Sequence, residues 1–95
     1  MAKPKIKPEI KTEKVAAPAS KWNVVVLNDP INLTGYVVMA FMSVLRIARP
    51  LARKYMLQVH EEGRATVWTG DSERAEMLAL ELQQWHLNAL LEKDG

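Results

Sequence analysis

Two short clusters hold the polar groups best placed to engage a ligand in this chain: Asn28-Asp29, behind the apolar run Trp22–Leu27, and His60, preceded by Met56 and Val59. Met56, Val59 and His60 are spaced i, i+3, i+4, so a helix puts them on one face. An amide oxygen, a carboxylate and a neutral imidazole are all hydrogen-bond acceptors. Set around an apolar floor, they would suit an ammonium group that carries an apolar side chain. Each cluster also has a plainer reading. Asn-Asp-Pro most often makes only a turn, and a His late in a helix often just complements the helix dipole.

Other chemistries lack their residues. With no cysteine, there is no disulfide scaffold, thiolate nucleophile or Cys-based zinc site. His60-Glu61-Glu62-Gly63 opens like a zinc-protease motif but has no second His one turn later, and His86 is the only other histidine. No Gly-rich phosphate loop or G-x-S-x-G elbow occurs. The expectation is a protein that is not an enzyme and uses no metal or cofactor. A net charge of +2 argues against nucleic-acid binding as the main activity. The most apolar stretch, residues 36–45, is half of the ~20 residues that span a bilayer. The N-terminal lysines have no apolar run behind them, so they do not form a signal peptide. A soluble, cytoplasmic protein is expected.

Ninety-five residues allow one domain. Residues 1–20 read as a flexible basic extension, with Pro4, Pro8 and Pro18 interrupting any helix, and residues 21–95 as the folded core. Trp22–Leu27 is β-branched and aromatic and reads as a strand buried on both faces. Asn32 is the expected N-cap of a helix over 33–47, apolar nearly all round and so packed against several neighbours. Pro50 opens a second helix whose inner face is Ala52, Tyr55, Met56 and Val59, and Gly63 ends it. Residues 64–69 alternate, with Ala65 and Val67 opposed to Thr66 and Trp68, and predict a half-exposed strand. After the turn Gly70-Asp71-Ser72, a third helix over 73–85 presents Ala75, Leu78, Ala79 and Leu82. A last strand over 86–92 presents Leu87, Ala89 and Leu91. The order β-α-α-β-α-β predicts a small α/β two-layer sandwich: a three-stranded antiparallel sheet with three helices on one face.

The stretch WNVVVLNDPINLTGY (22–36), followed by YMLQVHEEG (55–63), resembles the ClpS family, the Clp protease adaptors of the N-degron pathway. The likeness runs over about residues 22–93 and ends in Leu90-Leu91-Glu92-Lys93. It implies the fold order just read. It also implies an adaptor that binds N-terminal Leu, Phe, Tyr or Trp of substrate proteins and hands them to a Clp AAA+ unfoldase. By resemblance, Asn28, Asp29 and His60 hold the substrate's α-amino group, and Ile31, Asn32, Thr34, Met56, Val59 and Leu87 line the side-chain pocket. Glu73 and Glu76 fall near the surface that docks on the N-domain of a ClpA or ClpC type unfoldase, and the N-terminal extension would act during delivery. Thr34 stands where many relatives carry a Met that gates side-chain shape, and Pro30 replaces a second acidic residue. Nothing points to an obligate dimer or a membrane partner. The competing reading is a generic protein- or RNA-interaction module working through the basic tail.

Overall fold

Three consecutive valines sit at the centre of the molecule. Val24, Val25 and Val26 of strand β1 (Trp22–Leu27) are 0%, 0% and 2% exposed. Such burial requires partners on both edges of the strand and cover on both faces. The structure, a computed structural model, describes residues 20–29 and 31–94. Their order is β1, α1 (Thr34–Leu45), α2 (Arg49–Glu62), β2 (Arg64–Gly70), α3 (Ser72–Gln84) and β3 (Asn88–Lys93). The sheet order is β2-β1-β3, and both pairings are antiparallel, as expected for the sheet.

On one face of the sheet Val24 and Val26 join Ala65, Val67 and Ala89 in a single core with Phe41, Ala52, Val59 and Leu82 from the helices. Among the described residues, the other face carries no helix. There Arg64, opposite Leu27, and Glu92, opposite Asn23, form an ion pair. Because β1 lies between their strands, the pair crosses it at the level of Val25.

A bulge corrects one expectation. The register slips between Val24 and Val25, leaving Val67 as the extra residue of β2. Beyond a bulge the alternation is reset. Trp68 is therefore directly opposite Val24 and packs against the core, instead of facing outward with Thr66.

Helix α1 packs against both α2 and α3, which accounts for apolar residues around most of its circumference. Val38, Phe41 and Val44 are buried, while Met39 is 56% exposed. The helix starts one residue later than expected and stops at Leu45, where Arg46 turns left-handed at φ 58°. Its N-cap is Leu33, which caps with no side chain, so Asn32 is not the cap. Asp71 does cap α3, its Oδ2 accepting from the Arg74 amide at 3.0 Å. Strand β3 begins at Asn88 instead of residue 86, because His86 has φ 66° and belongs to the preceding turn. Of the expected extension, residues 1–20, all but residue 20 lie outside the described residues.

Candidate functional site

Asn28 leaves the end of β1 and His60 sits in the last turn of α2, 32 positions apart in sequence. Two features bring them together. Gly63 ends α2 in a left-handed conformation at φ 86°, its amide bonded to the Val59 carbonyl at 2.9 Å. A residue with a Cβ enters that region at a cost, whereas glycine does so freely. The Gly63 carbonyl then accepts the Asn28 amide at 3.0 Å. The end of the central strand is thereby fastened to the end of the helix that carries His60.

Between these ends lies a recess of about 240 Å³. Its lining includes Met56 and Val59 on α2, Thr34 on α1, and Leu87 ahead of β3, with Asn28, Asp29, Asn32 and His60 among its polar residues. Met56, Val59 and Leu87 are buried, whereas Asn28 and His60 are exposed. The floor is thus apolar and the mouth polar.

The carboxylate of Asp29 is oriented by its neighbours. Its Oδ1 accepts from the Ile31 amide at 2.9 Å and its Oδ2 from Asn32 Nδ2 at 3.0 Å. A carboxylate offers about four lone-pair sites, so acceptor capacity remains for a ligand. Among the described residues, the side chains of Asn28 and His60 make no hydrogen bond. The site therefore offers three acceptors above an apolar floor, with no positioned nucleophile.

The structure brings together eight of the nine residues expected at the site. Ile31 is the exception. It does not line the recess and is 85% exposed. Its amide donates to Asp29, and the two residues after it, Asn32 and Leu33, lead the chain into α1. Glu73 and Glu76 are exposed on α3, away from the recess lining. Val26, Leu27 and Val37 also line the recess and were not anticipated. Val37 follows Thr34 by one helical turn, the same i, i+3 signal that marked Met56 and Val59. Val26 is an inward strand position two residues before Asn28. Among the described residues no group of three or more His, Cys, Asp or Glu could hold a metal, and no helix is long and apolar enough to cross a membrane.

Comparison with known proteins agrees with this fold. Residues 17–89 match the family model described as "ATP-dependent Clp protease adaptor protein ClpS". The ClpS adapter of Mycobacterium leprae is 36% identical over 96% of this chain and 88% of its own length. That of Mycobacterium marinum is 41% identical over 82% of this chain and 77% of its own. In fold, the chain is similar to Agrobacterium tumefaciens ClpS2, solved bound to L-phenylalaninamide, with a TM-score of 0.79 and 23% identity over 81% of this chain and 100% of that one. A core of this fold, carrying a polar-rimmed apolar recess and matched over most of its length, belongs to the ClpS family of ATP-dependent Clp protease adaptors, which are adaptors and not enzymes.

Proposed function

We propose that the chain captures proteins by a bulky apolar N-terminal residue (Leu, Phe, Tyr or Trp) and presents them to a Clp-family AAA+ unfoldase in the cytoplasm. The observation that carries this reading is an apolar recess whose mouth offers Asn28, Asp29 and His60 as acceptors. A cavity of roughly 150 Å³ suffices for benzene, so about 240 Å³ has room for an aromatic side chain. The ligand of the Agrobacterium neighbour supports the reading. L-phenylalaninamide has a free α-amine, an aromatic side chain and a carboxyl capped as a peptide bond would cap it.

Burying an aromatic side chain removes about 150–250 Å² from water. At about 25 cal/mol/Å² this contributes roughly 4–6 kcal/mol. Lost rotational and translational freedom consumes a comparable amount. The hydrogen bonds to the amine therefore decide whether binding is useful. They also explain why only a terminus would fit, since an internal residue has no ammonium and brings one uncharged amide N–H to a site with three acceptors. Thr34, exposed at the rim where many relatives carry a bulkier Met, would leave the slot open to the larger side chains.

Delivery would use a separate surface, with Glu73 and Glu76 on α3 facing the N-domain of a ClpA or ClpC type unfoldase and the N-terminal extension engaging it. Titration with a Phe-initiated peptide tests the site. A one-to-one complex without turnover is expected, weakened by Asp29→Ala and by His60→Ala while the fold persists. Unchanged affinity in both variants would overturn the assignment.

A further inference from the structure

Two successive carbonyls at the foot of α3 are each taken by a side chain from the segment that opens α1. Tyr36 Oη donates to the Trp85 carbonyl at 2.6 Å, and Asn32 Nδ2 donates to the His86 carbonyl at 3.1 Å. The Tyr36 ring also lies against Trp85, with centroids 5.4 Å apart. His86 is left-handed, a conformation that a residue with a Cβ adopts at a cost; its amide bonds to the Gln83 carbonyl at 2.8 Å and that of Leu87 to the Leu82 carbonyl at 3.1 Å, and the Tyr36 and Asn32 side chains add contacts from outside the turn. The next residue is Leu87, a wall of the recess.

The same Asn32 nitrogen that donates to His86 donates to Asp29 Oδ2. Both partners are acceptors. Bridging them takes a group with two hydrogens on one atom, which the carboxamide supplies and a hydroxyl or carboxylate cannot.

We propose that Asn32 is a positioning residue that couples the two halves of the recess, because its amide ties the Asp29 carboxylate to the turn bearing Leu87. This rests on the adaptor reading of the site. A side chain seated against Leu87 steadies the turn, the turn steadies Asn32, and Asn32 steadies the carboxylate. An ammonium at Asp29 acts back along the same path, because coupling between two sites is reciprocal. Tyr36 holds the turn alone and has no bond to Asp29.

The test uses four peptides that differ only in their first residue, Phe or Leu, and in whether it is free or acetylated. Affinities are compared as ratios, since loss of folded protein changes all four alike. In Asn32→Ala the free-to-acetylated ratio falls about tenfold, and the Phe-to-Leu ratio moves about threefold or more. Asn32→Asp, nearly isosteric, sets an acceptor against two acceptors and moves both ratios in the same way. Tyr36→Phe moves the Phe-to-Leu ratio only. The coupling is overturned if Asn32→Ala shifts one ratio or neither, or if Tyr36→Phe lowers the free-to-acetylated ratio as Asn32→Ala does. A parent chain that does not discriminate free from acetylated peptides overturns the adaptor reading and the coupling together. A discriminating parent with unaltered ratios in Asn32→Ala overturns the coupling alone.

Discussion

At the residue scale the account rests on acceptors with unspent lone pairs. Asp29 keeps two bonds that aim its carboxylate, while the side chains of Asn28 and His60 bond to nothing else among the described residues. Removing one partner of a hydrogen bond to a charged group costs about 1.5–3 kcal/mol. Asp29→Ala and His60→Ala should therefore each weaken a Phe-initiated peptide by roughly tenfold to a hundredfold, measured by titration. Asn28 and Asp29 were legible from their types at a strand end, and His60 from its spacing on a helix face. The exposure of Ile31 was not, because the direction of a side chain in an irregular loop leaves no periodic trace.

At the scale of elements, ends and interruptions decide the geometry. The strands and helices were legible because their apolar periods are clear, from the three valines of β1 to Ala75, Ala79 and Leu82 along α3. The bulge at Val67 was not, since alternation read along one strand carries no information about its partner's register. Trp68 lies over Gly70, two residues on along the same strand face, where an added Cβ would collide with the indole. Gly70→Ala should consequently destabilise the fold by about 1–3 kcal/mol, as overpacking does. Removing the α3 cap in Asp71→Ala should cost about 1 kcal/mol. A loss of 1 kcal/mol lowers the melting temperature of a domain this small by about 4–8 °C. By contrast, Arg64 and Glu92 are 49% and 43% exposed. An ion pair that open to solvent contributes about 1 kcal/mol at most, so Arg64→Ala should lower the melting temperature by no more than Asp71→Ala does.

At the scale of the whole molecule, the proposed function would have one small core do two jobs. The sheet, with α2 clamped to its central strand through Gly63 and Asn28, fixes a recess that neither element could form alone. Helix α3 presents Glu73 and Glu76 elsewhere on the surface. Charge reversal at both glutamates should reduce unfoldase-dependent degradation while leaving peptide affinity intact, and a parallel loss of affinity would show that the two surfaces are not separate. The central claim is more direct. A Phe-initiated peptide and its N-acetylated twin have the same side chain and differ only in the ammonium group. Calorimetric titration of the chain with each should give firm binding of the free peptide and loss of at least about 1.5 kcal/mol, more than tenfold, on acetylation. Equal binding of the two would contradict the account.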